Sequence, residues 1–162
     1  MHLFYAFEIA LHACPDDAGV GREFVDEWGA WPTLEIPKDA LAVPMTVGFD
    51  AAFERLAAIE RMFAEPDGSF VWACSEPPAT SGQPRWQVDG NAFERSGRVV
   101  LVDLKGRCPA ADFDRLLAAF GWPGQRMAME LVRPAVFLDE STFRRHAVAR
   151  ASGQAGRPPR EA

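Results

Sequence analysis

Several common sequence signatures of function are missing from this chain. Gly19 and Gly21 are not followed by the Lys-Ser or Lys-Thr pair of a phosphate-binding loop, and no Gly-x-Ser-x-Gly motif occurs. These absences argue against a P-loop nucleotide site and against the nucleophile elbow of an α/β-hydrolase. No apolar run approaches the roughly 18 residues that a membrane span needs, so we predict no membrane partner.

Cysteine is scarce and widely spaced. Cys14, Cys74 and Cys108 form no Cys-x-x-Cys pair and no Cys/His cluster, which argues against a structural zinc site. The apolar start, residues 1–15, lacks a basic region and is interrupted by Glu8, so we do not interpret it as a signal peptide. Reduced thiols in the cytoplasm are the simplest prediction.

Charge is distributed unevenly along the chain. The net charge is −6, yet residues 1–70 hold thirteen acidic and four basic side chains, whereas residues 85–133 hold six acidic and eight basic ones. Residues 143–162 carry five arginines against one glutamate. The acidic first half disfavours nucleic acid as a partner, while the middle and the end are compatible with it. The same acidic half is a candidate surface for a protein partner.

The length predicts one domain with a single core. We assign residues 1–151 to this domain and residues 152–162, which are small, polar and proline-bearing, to a disordered tail. Five tryptophans and twelve phenylalanines provide enough large apolar side chains for a packed core.

Hydrophobic periodicity, caps and turn residues predict the order of elements. In chain order they are a strand over 2–12, an irregular wrap over 13–48 with a short helix near 22–28, a helix from 49 with apolar residues through 63, a strand over 69–75, a polar loop over 76–84, two strands within 86–106, a helix from 109, a strand over 126–133 and a helix from 138. This order predicts an α+β (or three-layer α/β) domain, in which helices cover a mixed sheet of about five strands. Its core order is helix, strand, strand, strand, helix, strand.

The segment 86–106, WQVDGNAFERSGRVVLVDLKG, is the most informative part of the chain. It predicts two strands joined by a turn at Ser96-Gly97. The first strand carries Asp89, and the second ends in Asp103-Leu104-Lys105. The second strand is almost continuously apolar before Asp103, so we expect it to be central and covered on both faces.

Two carboxylates and a lysine form a plausible magnesium site for phosphodiester chemistry. Magnesium takes one or two carboxylates, with water and phosphate completing its shell, and a lysine can stabilise the charged phosphate during bond cleavage. Asp103 and Lys105 lie two apart and therefore share a face of the strand. Asp89 joins them only in the right register. In the alternative, Asp89 is a turn residue, and Asp103 and Lys105 form an ordinary edge or cross-strand pair.

The block Val-Asp-Gly at 88–90, followed by the apolar strand and Asp-Leu-Lys-Gly at 103–106, resembles the PD-(D/E)xK nucleases, especially their exonuclease-type branch. The resemblance covers about half of the chain, and the element order predicted for residues 50–133 is that of the family core. It implies a Mg²⁺-dependent nuclease, or an inactive relative, in which Asp89 and Asp103 hold the metal and Lys105 is catalytic. A further family acid on the first helix would be Glu54 or Glu60.

Two histidines offer weaker signals. His12 and Cys14 lie two apart, which is the spacing of a Cys/His pair on one strand face, but a buried thiol near a histidine is the commoner explanation. His146 follows two arginines on the last helix and could contact phosphate, although we expect it on a solvated helix face.

The sequence therefore leaves three functional hypotheses. The first is the magnesium-dependent nuclease or its inactive relative. The second is a non-catalytic interaction module that binds a protein through the acidic N-terminal half or the tryptophan-bearing wrap. The third, a small-molecule pocket between the sheet and residues 13–48, requires an apolar cavity. Convergence of Asp89, Asp103 and Lys105 on one face is the geometric requirement of the first hypothesis.

Overall fold

The computed structural model describes residues 3–74 and 85–155, and within them it contains two β-sheets and three α-helices. The strands are β1 Phe4–Ala13, β2 Gly19–Val20, β3 Phe24–Asp26, β4 Gly29–Trp31, β5 Leu34–Glu35, β6 Met62–Ala64, β7 Ser69–Ala73, β8 Gln87–Arg95, β9 Arg98–Pro109, β10 Met127–Leu131 and β11 Val136–Asp139. The α-helices are α1 Phe49–Ala57, α2 Ala110–Ala119 and α3 Glu140–Ala155, and a 3₁₀ helix spans Lys38–Ala42. None of these helices is both long and apolar enough to cross a membrane.

Nine strands form one sheet in the order β2-β5-β11-β10-β1-β9-β8-β7-β6. Every neighbouring pair in it is antiparallel. The remaining strands, β3 and β4, form a separate two-stranded hairpin. The N-terminal strand β1 thus lies in the middle of the large sheet, between β10 and β9.

The predicted α+β (or three-layer α/β) domain with a mixed sheet of about five strands is wrong, because the chain is mostly antiparallel sheet. The predicted core order is also wrong, since four strands, β6 to β9, lie between α1 and α2 instead of three. The sheet has nine strands and is wholly antiparallel. Tight turns join β6 to β7, β8 to β9 and β10 to β11, whereas the central strand β1 pairs antiparallel with two strands that lie far away in the chain. At one such turn Ser96 and Gly97 have φ values of 53° and 78°, which is the left-handed backbone of a two-residue hairpin and confirms the predicted turn.

Short strands account for most of the missing elements. The segment predicted as an irregular wrap contains β2 to β5, and the helix predicted near residues 22–28 is wrong because β3 and β4 occupy that stretch. α1 ends at Ala57, so Phe63, predicted on the helix, lies instead in β6 and is exposed. β11 was not predicted. Strands of two to four residues show too few alternations for a period to be recognised.

The predicted start of α3, which depends on a few adjacent residues, is confirmed. The Asp139 carboxylate accepts a hydrogen bond from the backbone N–H of Thr142 at 2.8 Å, so Asp139 caps α3 as predicted. α3 continues through Ala155, four residues into the segment predicted to be a tail. The rest of that tail, and the loop predicted over 76–84, lie outside the described residues.

All three helices pack on the same face of the large sheet and form the core with it. Phe113 of α2 and Phe143 of α3 contact the rings of Tyr5 and Phe7 on β1. On α1, Phe53 contacts Phe70 of β7. The register across β7, β8, β9 and β1 places Phe70 on the same side as the odd-numbered residues of β1.

The opposite face of the large sheet, which we call the open face, is covered by no helix of the described residues. β9 shows the asymmetry between the two faces: Val102 and Leu104 are buried, whereas Asp103 and Lys105 are exposed. The prediction that this strand is central is confirmed, but the prediction that both of its faces are covered is wrong. Charged side chains therefore stand in the middle of the sheet.

Candidate functional site on the open face

The strand register places Asp89, Asp103 and Lys105 on one face. Asp89 of β8 lies directly opposite Lys105 of β9, and Asn91 lies opposite Asp103. Because alternate residues of a strand share a face, all three predicted site residues point to the open face. The alternative in which Asp89 belongs to a tight turn is excluded, since β8 continues through Arg95.

The next strands add further acids that the sequence did not connect to this site. On β1, Glu8 lies opposite Lys105, and Ala10 lies opposite Asp103. On the far side of β1, Glu130 of β10 lies opposite Ala10. These contacts come from strands more than 90 residues apart in the chain, so no local pattern could have indicated them.

Two adjoining clefts are formed by these side chains. The first, which we call the lysine cleft, measures about 330 Å³, and its lining residues are Glu8, Ile9, Asp89, Gly90, Asn91, Asp103, Leu104, Lys105 and Val132. The second, which we call the acid cleft, measures about 290 Å³, and its lining residues are Ala10, His12, Phe93, Leu101, Asp103, Glu130 and Val132. Asp103 and Val132 belong to both, so the two clefts form one continuous depression.

The lysine cleft contains mixed charges. Lys105 is flanked by Glu8 on β1 and Asp89 on β8. Glu8 also lies 3.6 Å from Nε of Arg133, and Asp89 accepts a hydrogen bond of 3.1 Å from the side-chain amide of Gln87. Each of these two carboxylates therefore already has a polar partner at the surface.

The acid cleft contains a buried histidine. His12 is 6% exposed, and its Nε2 lies 3.2 Å from Oε1 of Glu130. Its Nδ1 is buried and has no hydrogen-bond partner among the described residues. Burial raises the pKa of the Asp103 carboxyl above its ordinary value; the charge of His12 acts in the opposite direction, and that of Glu130 adds to the rise.

We expect Asp103→Asn to raise the thermal unfolding midpoint slightly at neutral pH. An acid whose pKa is raised in the folded state gives stability that is complete below its unfolded value of 3.8 and is lost as pH rises through the folded value. The asparagine amide does not ionise, so the variant does not lose this stability as pH rises. The two thermal unfolding midpoints should therefore become equal in acid. Thermal melts followed by circular dichroism over a pH series measure it.

Asp67→Asn is the matched control. The hydroxyl and backbone N–H of Ser69 donate to the Asp67 carboxylate and lower its pKa, so this change should have the opposite sign. Equal responses of the two variants would contradict the assignment of a destabilising carboxylate to the open face.

Glu54 and Glu60, the candidates for an additional acid, lie on the other side of the sheet. Glu54 is an exposed residue of α1, and Glu60 follows that helix, exposed beside Arg61. Since α1 packs on the face opposite the clefts, the structure does not bring either glutamate to Asp89 and Asp103.

The carboxylates of the open face offer few ligands for a metal ion. Among the described residues, no three His, Cys, Asp or Glu side chains come close enough together to hold one. Asp89 and Asp103 would supply two oxygens, which is the number magnesium takes where phosphate and water complete its shell. The positive charge of Lys105, directly opposite Asp89, would repel Mg²⁺. Asp89 and Asp103 would therefore hold the ion only together with such a phosphate.

The His12 and Cys14 pair shows no catalytic arrangement. The nearest polar partner of His12 is Glu130, whereas the thiol of Cys14 lies 3.7 Å from the carbonyl oxygen of Pro15. Burial raises the pKa of the Cys14 thiol, opposed by Arg126. A thiol of this kind is a weak nucleophile, so the structure favours the explanation of a buried cysteine.

A second histidine–carboxylate pair lies away from the clefts. His146 is 2% exposed, so the expectation that it lies on a solvated helix face is wrong. Its Nε2 lies 2.7 Å from Oδ2 of Asp26, and its ring contacts the edges of Trp28 and Trp31. The spacing of His146 from the buried Phe143 is a helical period, which is the signal that could have placed it on the inner stripe of α3.

This pair ties the β3–β4 hairpin to α3 and should be sensitive to acid. Burial opposes ionisation of Asp26, but hydrogen bonds from Trp31, His146 and the backbone of Trp28 outweigh it and lower its pKa. Such a carboxylate stabilises the fold above its unfolded value of 3.8, and the stabilisation is lost as pH falls through the lower folded value. Urea unfolding at a series of pH values measures this loss, and we expect the free energy of unfolding of Asp26→Asn to fall less in acid than that of the wild type. An equal fall in both proteins would contradict the assignment.

Comparisons with protein-family profiles, with curated proteins and with solved structures find no match to this chain. The resemblance of residues 86–106 to the PD-(D/E)xK nucleases stays a prediction. Function is therefore inferred from the open face itself.

Proposed function

We propose that this protein is a binding module that holds a segment of a protein partner on its open face. The observation that carries the proposal is the composition of this face, where exposed apolar side chains lie in the clefts and on the neighbouring strands β6 and β7. Phe63, Val71, Phe93 and Val132 are 69%, 37%, 42% and 44% exposed. Apolar side chains grouped beside polar ones on one surface are typical of interaction sites.

The location differs from the sequence-based hypothesis of an interaction module. That hypothesis assigned binding to the acidic N-terminal half or to the tryptophan-bearing wrap. Of the acidic residues in positions 1–70, only Glu8 lines either cleft. Asp89, Asp103 and Glu130, which come from later strands, supply the other carboxylates.

The cytoplasmic prediction belongs to the same proposal. Cys14, Cys74 and Cys108 are all free thiols, and two of them are buried. Unpaired cysteines are typical of proteins that work in a reducing compartment. We therefore expect the partner to be a cytoplasmic protein.

Selection of peptides from a displayed random library tests the proposal. Val132 lines both clefts and is exposed, so Val132→Arg blocks the depression without disturbing the core. Val25→Arg is the matched control, because Val25 is 67% exposed on the separate β3–β4 hairpin. Peptides selected on the wild type should bind the control equally and lose about tenfold in affinity, about 1.4 kcal/mol, with Val132→Arg. Equal binding to both variants would overturn the proposal.

A magnesium-dependent nuclease is the second candidate, favoured by the convergence of Asp89, Asp103 and Lys105 on one cleft. The chain has only two lysines, so Lys38→Ala is a matched control for Lys105→Ala. If the protein is such a nuclease, it should cleave single- or double-stranded DNA with Mg²⁺ or Mn²⁺. The Lys38→Ala variant should keep this activity, and the Lys105→Ala variant should lose it. Cleavage that survives Lys105→Ala would come from another source, and absence of cleavage would exclude this candidate for DNA.

A further inference from the structure

In the floor of the acid cleft, a small side chain lies between two acidic ones on neighbouring strands. Asp103 and Glu130 both lie opposite Ala10, one on each side of it, on strands β9 and β10. The two acids are therefore separated by two strand spacings, about 9–10 Å between Cα atoms. Since the side chain between them is only a methyl group, the two carboxylates border a depression.

The charge of this depression is unbalanced. Its lining contains the carboxyl groups of Asp103 and Glu130 and no lysine or arginine. Lys105 lies in the adjoining cleft, paired across the strands with Glu8 and Asp89 rather than with Asp103. With His12 neutral, a cation of suitable shape would therefore find two carboxylates and no competing lysine or arginine in the lining.

His12 lines the same cleft and carries a buried hydrogen-bonding atom that has no partner among the described residues. A carboxylate only accepts hydrogen bonds, so Nε2 of His12 carries the hydrogen that is donated to Glu130. In the neutral imidazole Nδ1 is then an acceptor, and it is buried without a partner among the described residues. A buried polar atom left unpaired costs free energy, so a ligand donor that reaches Nδ1 after a movement of the His12 ring would relieve that cost.

The walls of the acid cleft are apolar. Phe93 and Val132 are 42% and 44% exposed, and Leu101 is half-buried beside them. An aromatic face, aliphatic side chains and two carboxylates together match a flexible aliphatic stem that ends in a planar cation.

From this arrangement we infer that the acid cleft binds the guanidinium group of an arginine side chain from the protein partner, between Asp103 and Glu130. The inference rests on the proposed binding function and names the chemistry that the open face recognises.

Arginine fits better than the other cations. Its planar group donates from several edges at once and can serve two carboxylates, whereas lysine presents a compact, strongly hydrated charge. Its plane can also stack on Phe93. Magnesium requires near-octahedral oxygen ligands at about 2.0–2.1 Å, and carboxylates borne two strands apart are poorly placed to share one ion.

Titration with small amides, followed by NMR of the labelled protein, tests the inference without a known partner. The probe is N-acetylarginine N-methylamide, compared with the corresponding lysine and citrulline amides, because citrulline keeps the shape and lacks the charge. We expect the arginine amide to shift the resonances of His12 and of residues 101–103 and 130, with binding in the millimolar range. Citrulline should cause no saturable shift, and lysine should bind more weakly.

Three variants assign the effect to the two acids. Asp103→Asn and Glu130→Gln should each weaken arginine binding about tenfold, which corresponds to about 1.4 kcal/mol. Glu54→Gln, on the opposite side of the sheet, should bind like the wild type. Unfolding curves establish that each variant is folded. We expect all three to fold, because the changes are conservative and the positions are partly exposed.

Several outcomes would overturn the inference. Equal shifts with citrulline would show that charge is not recognised, and arginine shifts located away from the acid cleft would assign the cation to another surface. Shifts of the same residues by magnesium chloride but not by arginine would make the cleft a metal site. Library peptides that bind the open face without dependence on arginine would leave the proposed function standing and refute only the arginine pocket.

Discussion

Replacing Phe113 with alanine is expected to lower the free energy of unfolding by about 3–5 kcal/mol. Phe113 is fully buried where α2 meets β1, and its ring contacts the rings of Tyr5, Phe7 and Phe143. Removing the ring leaves a cavity that these neighbours cannot fill without leaving their own positions. Domains of this size are stabilised by only about 5–15 kcal/mol, so the variant should unfold at a much lower urea concentration.

Phe93→Ala is the matched control for this experiment. Phe93 lies on the open face and is 42% exposed, so its removal should change the free energy of unfolding by less than about 1 kcal/mol. Urea titrations followed by tryptophan fluorescence measure both variants. A similar cost for the two would mean that the open face is buried against something in solution and that the core is not confined to the helical side.

Gly106→Ala is expected to cost about 2–6 kcal/mol. Gly106 has a φ of 142°, which disfavours residues with a β-carbon, and an added β-carbon would overlap the backbone carbonyl oxygen of Gln87. The strain contributes about 1–3 kcal/mol and the overlap about 1–3 kcal/mol more. Since β8 and β9 pair at this point, relief of the overlap would separate the strands beside Asp89 and Lys105.

Gly19→Ala is the control for a glycine whose replacement should be tolerated. A β-carbon at Gly19 would have its nearest neighbour 4.0 Å away, at the carbonyl oxygen of Glu35. Urea unfolding gives the stability of both variants, and backbone amide shifts of β8 and β9 report the pairing. Wild-type stability in Gly106→Ala would show that this part of β9 can adopt another conformation.

Elements fixed by nearby residues could be predicted from the sequence. The β8–β9 hairpin follows from two extended runs around Ser96-Gly97, and the start of α3 follows from Asp139, because a turn and a cap each depend on a few adjacent residues. The shared face of Asp103 and Lys105 follows from the strand period alone. These features survived although the predicted fold class was wrong.

Pairings between distant segments could not be predicted in the same way. The open face depends on β1 lying between β9 and β10, which brings Glu8 and His12 beside residues about a hundred positions later. Nothing local in β1 specifies those neighbours. Glu54 and Glu60 were taken from the family resemblance, and the helix that carries or precedes them packs on the other side of the sheet.

The central position of β1 also has a consequence for biosynthesis. Leu11 pairs with Val102, and Ile9 pairs with Leu131, so β1 has no partner in the sheet until about 90 further residues have been added. At translation rates of about 5–20 residues per second, this apolar strand waits roughly 5–20 s on the ribosome. During that interval its unpaired edges are open to other chains, so the nascent protein should depend on chaperones far more than the finished one.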